Sequence, residues 1–156
     1  MAELPALSQT LAQPEAAVVL ELDELWSFVE KKTKVVWVWI AQSRRTGQVV
    51  AYALGDRSAA TGAQLGAAIP QSYRRGRCYT DSWEAYTGGI PAAHHAAMPK
   101  KSGATAHIER WNNTLRQRLA RFVRKTLSFS KSLRMHEACL RLFLHRHNSS
   151  CLLSPL

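Results

Sequence analysis

Hydrophobic positions change their spacing along this chain, and each change marks an element. Residues 18–26, 35–41 and 49–54 are dense in β-branched and aromatic residues, a composition that fits half-buried strands. Arg44 to Gly47 supplies a polar turn between the last two, so the three segments predict a β-meander. Residues 58–69 are small and unbranched and stop at Pro70, as a helix would. Residues 77–80 predict a short strand running into Asp81. A short helix is expected over 82–86, broken by Gly88 and Gly89, and a further short strand over 94–98. Beyond Ser102 and Gly103 the period becomes helical. Ile108, Leu115, Leu119 and Phe122 form one apolar stripe, and Leu133, Leu140, Phe143 and Leu144 form another within 132–147.

This order predicts an α/β fold in which helices pack on a mixed sheet. The first 17 residues, rich in Ala, Leu, Gln and Glu and interrupted by Pro5 and Pro14, read as a flexible tail or linker stub. Residues 18–148 are expected to form one domain and 149–156 a C-terminal tail. A chain of 156 residues accommodates one core of ordinary size.

Charge narrows the function. The 21 Lys and Arg outweigh 11 Asp and Glu, giving a net charge of +10. That excess favours a polyanion, because cations that neutralise phosphates release counterions from nucleic acid. A membrane is not expected, since the longest apolar stretch, residues 35–41, falls far short of the ~20 residues that cross a bilayer. Cys78, Cys139 and Cys151 are odd in number and widely spaced, which suits reduced thiols in a cytoplasm. His94-His95 and His145-x-His147 lack partner cysteines at a zinc-site spacing.

Three acids fall where α/β folds gather functional groups. Asp23 lies near the end of the first strand, Asp81 ends a later strand, and Glu109 opens a helix. Strand parity puts Asp23 with Glu21 on one face and Glu24 with Leu20 and Leu22 on the other, which favours Asp23 over Glu24 as a ligand. If the carboxylates converge, like charges ~4 Å apart repel by ~4 kcal/mol at an effective dielectric near 20. A hard divalent cation, Mg²⁺ or Mn²⁺, relieves that and suits phosphodiester chemistry. Each acid also has a simpler reading: a surface charge for Asp23, a helix N-cap for Asp81, and a favourable dipole contact for Glu109.

The helix that carries Glu109 in its first turns places Asn113 and Arg116 on the same face, with Asn112 beside them; a solvated polar face is the alternative. Arg110, Arg118, Arg121, Arg124, Lys125 and Lys131 continue the basic tract, and with Asn113 and Arg116 they are candidates for gripping DNA phosphates. Trp111, Phe122 and Phe129 are expected in the core. Trp83 is expected to support the pocket rather than stack on a base.

Glu-Leu-Asp-Glu-Leu-Trp at 21–26, Thr-Asp-Ser-Trp-x-x-Tyr at 80–86, Ile-Glu-Arg-x-Asn at 108–112 and Leu-Ser-Phe-Ser-Lys-Ser at 127–132 resemble the insertion-sequence-one transposase family, from about residue 19 to 148. The resemblance implies a ribonuclease H-like fold, with an antiparallel meander before helix-linked parallel strands, and a bacterial protein acting on DNA at the nucleoid. It implies that Asp23, Asp81 and Glu109 bind two Mg²⁺ ions. Water would then cut the element's ends, and the freed 3′ hydroxyl would attack target DNA. Arg116 matches the family's basic residue two turns beyond its glutamate. The family also implies a homo-oligomer on paired ends. Its zinc finger and helix-turn-helix, commonly encoded in an upstream frame, are not found here, which leaves an upstream DNA-binding partner as an expectation. Two rival readings are a non-catalytic DNA-binding fragment and a ribonuclease H-like nuclease.

Overall fold

A computed structural model describes residues 3–81, 86 and 89–153. Its central sheet has five strands in the order β3-β2-β1-β4-β5: β1 (Val19–Val29), β2 (Lys31–Ser43), β3 (Val49–Gly55), β4 (Arg77–Thr80) and β5 (His95–Ala97). β1, β2 and β3 pair antiparallel, while β1–β4 and β4–β5 are parallel. The helices are α1 (Ala59–Ala68), α2 (Ala106–Arg118) and α3 (Leu133–Leu153).

Both faces of the sheet are buried, because helices cover each of them. Leu20, Leu22, Trp39 and Ala51 pack with Leu65 of α1 and with Ile69 on one face. On the other, Leu25, Val38, Ile40 and Val49 pack with Ile108 and Leu115 of α2 and Leu140 and Leu144 of α3. Fully burying such a side chain contributes ~1.5–3 kcal/mol. Trp111 and Phe122 are buried as expected. The Phe129 ring lies 6.2 Å from that of Phe28.

Several details differ from expectation. β2 begins at Lys31, because the chain reverses tightly at Glu30, whose φ of 63° lies in the left-handed region. α2 ends before Leu119, which is extended, so Phe122 reaches the core from a separate 3-10 turn at Ala120–Phe122. Leu133 is 51% exposed rather than part of the α3 stripe. α3 runs on to Leu153, through residues expected as tail.

The N-terminal segment is held rather than loose. Gln48 donates from Nε2 to the Thr10 carbonyl at 2.9 Å and accepts the Ala12 N–H at 2.8 Å. Buried Asn148 of α3 accepts the Val49 N–H at 2.7 Å and donates to the Val49 carbonyl and to Thr10 Oγ1, both at 2.8 Å. The helix expected over 82–86, apart from Tyr86, and Trp83 with it, lie outside the described residues.

Candidate metal centre and nucleic-acid interface

The site forms where β4 leaves β1. β4 pairs with Val19, Leu20 and Glu21 only, with Glu21 opposite Tyr79. Carried on by two residues, that register sets Asp81 across from Asp23. From Leu22 onward, therefore, β1 has an edge that β4 does not cover, and side chains from both faces of the strand reach around it. The result is a cleft of about 390 Å³ lined by Asp23, Glu24, Asp81 and Glu109, with Asn112, Asn113 and Arg116 from α2.

α2 is fixed over this edge by Glu21, which is fully buried. Its Oε2 accepts the Ile108 N–H at 2.9 Å, taking up one of the unpaired donors at the start of α2. Its Oε1 accepts from Arg44 Nε and contacts His107 Nδ1, each at 2.8 Å. This anchor sets the rotational phase of α2, so Asn112 donates to Asp23 Oδ2 at 2.9 Å. Glu109, one helical turn into α2, accepts from Thr105 Oγ1 at 2.8 Å.

Carboxylates dominate the cleft. Oxygens of Asp23, Glu24 and Asp81 lie within 4.8 Å of one another. Burial, then the charge of Glu24, and further those of Asp81 and Glu109, raise the Asp23 carboxyl to about 7, against a smaller opposing hydrogen bond from the backbone of Glu24. Glu24 lies on the strand face of Leu20 and Leu22, opposite to that of Asp23, yet its carboxylate reaches the same cluster. At an uncovered edge both faces are within reach of one cluster. Glu24 is nonetheless occupied. Its Oε1 accepts from Arg57 Nη2 at 2.7 Å, and its Oε2 from the Tyr86 hydroxyl at 2.6 Å. Burial and the same acids hold that hydroxyl well above its ordinary value.

An all-oxygen donor set crowded this closely fits a hard divalent cation. Buried Asn112 Oδ1, with no hydrogen-bond partner among the described residues, adds a free acceptor next to Asp23.

The chain matches the family described as IS1 transposase over residues 16–150. It belongs to the IS1 transposase family. Among the relatives is the insertion element iso-IS1n protein InsB of Shigella dysenteriae, 37% identical over 131 residues that cover 84% of this chain and 97% of the relative. Another is the insertion element IS1 4 protein InsB of Escherichia coli K12, 34% identical over 85% of this chain and 78% of the relative. The insertion element IS1 protein InsB of Shigella flexneri is also 34% identical, over 82% of this chain and 95% of the relative. The function of this chain is that of a transposase. Among its described residues, no helix is long and apolar enough to cross a membrane.

The basic residues of the transposase divide between different surfaces. Asn113, Arg116 and Arg124 line the acidic cleft. Burial and the neighbouring Arg124 charge hold the Arg116 guanidinium below its ordinary value. Arg110 and Arg118 lie on the opposite side of α2, in a separate groove with Arg44 and His107. Lys125 joins Arg124 beside Trp26 and Trp37. Arg121 is half-buried near His136, and Lys131 is exposed.

The Leu-Ser-Phe-Ser-Lys-Ser stretch has a structural part. The Ser130 carbonyl accepts the Glu30 N–H at 2.7 Å, and its hydroxyl meets His136 Nδ1 at 2.8 Å. Sequence reasoning missed Glu21, Arg57 and Tyr86, since their partners are distant in the chain. Glu21 carried one signal: it shares a strand face with Asp23, pointing to an acid beneath a covering helix.

Proposed function

We propose that this transposase cuts and joins DNA by divalent-metal chemistry, with Asp23, Asp81 and Glu109 as metal ligands in a ribonuclease H-like fold. The observation that carries this is that the three acids line one cleft where β4 diverges from β1, with oxygens of Asp23 and Asp81 in one close group and Glu109 facing the same cleft outside it. The sheet order, with an antiparallel meander followed by parallel strands, is that expected of a ribonuclease H-like fold. Glu24 is set apart as a supporting residue because both its oxygens are engaged by Arg57 and Tyr86.

Two bound Mg²⁺ or Mn²⁺ ions would supply an activated nucleophile and charge neutralisation at the phosphodiester. The protein's share is positioning. Asn112 orients the Asp23 carboxylate, and Thr105 holds one oxygen of Glu109, whose side chain lines the cleft. Arg116, which lines the cleft, would take a non-bridging phosphate oxygen. Asn113 and Arg124 would steady the neighbouring backbone, while Arg110, Arg118, Arg121, Lys125 and Lys131 would bind phosphates farther along the duplex. We further propose a homo-oligomer on paired ends and an upstream-encoded DNA-binding partner that selects those ends.

The test is cleavage of an inverted-repeat duplex by the purified chain in Mg²⁺ or Mn²⁺, alongside an RNA:DNA hybrid. Asp23→Asn, Asp81→Asn and Glu109→Gln, each checked for folding and DNA binding, are expected to abolish cleavage of the duplex. Activity surviving all three would refute the ligand set, and preference for the hybrid would favour a nuclease. Binding without cleavage by the wild type would favour a non-catalytic role for this chain alone.

A further inference from the structure

We propose that Trp26 and Trp37 form a stacking platform for an unpaired DNA base next to the acidic cleft. The inference rests on the DNA-cleaving reading above and adds to it a single-stranded substrate subsite. The two tryptophans face each other across β1 and β2 at directly paired positions. Both remain partly exposed, and Trp26 joins neither apolar core. With Lys32, Arg124 and Lys125 they line a cleft of about 440 Å³. Trp26, Trp37 and Arg124 also line the acidic cleft, so the two are continuous.

The chemistry of this surface is aromatic and cationic. The Arg57 guanidinium sits 4.8 Å from the Trp37 ring centre, and that of Arg124 sits 5.8 Å from Trp26. Aromatic faces flanked by cations suit a nucleic-acid strand, with bases stacked on rings and phosphates held beside them. A base inserted between Trp26 and Arg124 needs two van der Waals layers, roughly 7 Å, so the exposed Arg124 must retreat by only about 1 Å. A paired base inside a duplex presents its edge, not its face. The occupant is therefore a frayed or extruded nucleotide next to the phosphate that the acids address.

The test uses the full chain in EDTA, so that nothing is cut. The probes are a duplex carrying a three-nucleotide overhang with 2-aminopurine, in either polarity, and a blunt duplex of the same sequence. Wild type is expected to quench 2-aminopurine by stacking and to prefer one overhang over the blunt duplex. Trp26→Leu and Trp37→Leu should lose that preference by about tenfold while binding the blunt duplex nearly as before. Trp26→Phe, which keeps a ring, should retain much of it and guards against a folding defect. Absence of quenching, or a preference unchanged in both Leu variants, would overturn the proposal. So would a change confined to oligomeric state, which would make the pair a contact between copies. Quenching is read without metal and without cutting, so the platform is tested separately from the Mg²⁺-dependent cleavage assay, and a failure of the catalytic reading is distinguishable from a failure of the platform.

Discussion

Buried His136 should make this protein lose stability in mild acid by a calculable amount. Its ring has no solvent exposure and stacks on Phe122 with centroids 4.3 Å apart. Ser27 donates its hydroxyl proton to the Val36 carbonyl, so its Oγ accepts from His136 Nε2–H at 2.9 Å. Nδ1 must then accept from Ser130 Oγ at 2.8 Å. The network fits the neutral imidazole, and a second ring proton on Nδ1 would require the Ser130 hydroxyl to turn its own proton away. Burial, and secondarily the Arg121 charge, push the imidazole down from 6.5 to about 4. With the folded value below the unfolded one, the stabilisation is fully present above 6.5 and is lost as pH falls toward 4. In that window the unfolded chain binds a proton that the folded chain does not, at ~1.4 kcal/mol per pH unit. The loss is at most about 3 kcal/mol. That is a large share of the ~5–15 kcal/mol that holds a domain together.

The assay is urea unfolding of wild type and His136→Asn at half-unit steps from pH 7.5 to 4. Subtracting the two curves removes contributions common to both. These include Asp23, whose raised value acts with the opposite sign and favours the folded state as pH falls toward 4. The advantage of the wild type should shrink by roughly 1.4 kcal/mol per unit below 6.5. Parallel curves for the two proteins would refute the assignment of a neutral, doubly bonded ring.

Other substitutions probe the anchors around the site. Glu21→Ala leaves Arg44 without its carboxylate and Ile108 N–H without its acceptor, and should cost ~3–5 kcal/mol in urea unfolding; a loss below 1 kcal/mol would show that α2 is held by packing alone. Asn148→Ala removes both side-chain bonds to Val49 and the bond to Thr10. It should cost ~2–3 kcal/mol and speed proteolysis within residues 3–17, an outcome checked by limited digestion and mass spectrometry. Asp23→Asn relieves like-charge crowding with Glu24 and Asp81, so at pH 8 without metal its melting temperature should exceed that of the wild type. Adding Mn²⁺ should raise the wild type and leave the variant nearly unmoved; equal shifts would place the metal elsewhere.

Much of the fold was legible because local chemistry and tertiary demand agreed. Arg77–Thr80 is the strand its composition suggested, and Arg44 to Gly47 is the turn. Asp81 follows the end of β4 and Glu109 lies in the first turns of α2, as expected, but Asp23 is in the middle of β1 rather than near its end, because β1 runs on to Val29. What escaped had non-local causes. Parity ranked Asp23 ahead of Glu24 as a ligand, but nothing nearby in the sequence shows that β4 pairs with only three residues of β1, which lets Glu24 reach the same cluster. Asn148 is the last residue expected in the domain, just past the helix expected over 132–147, and its anchoring role was not legible because its partners lie 99 and 138 residues away. The extent of α3 did carry a signal: the first residue after His147 that resists helix is Pro155.

Two carboxylates on one face of β1, two residues apart, meet opposite electrostatic fates, and that contrast links fold to function. Glu21 is enclosed by a guanidinium, an imidazole and a helix N-terminus, so its charge is compensated within the protein. Asp23 receives an amide from Asn112 but faces other carboxylates, so its charge calls for a cation from outside. The same helix serves both, since anchoring Ile108 to Glu21 turns Asn112 and Glu109 toward the cleft. Stability is thus invested at Glu21 to hold a destabilising cluster at Asp23, the trade-off expected where a site must recruit a metal. It follows that substitutions at Glu21 should impair metal binding even though Glu21 touches no metal, whereas Asp23→Asn should impair it without loosening α2.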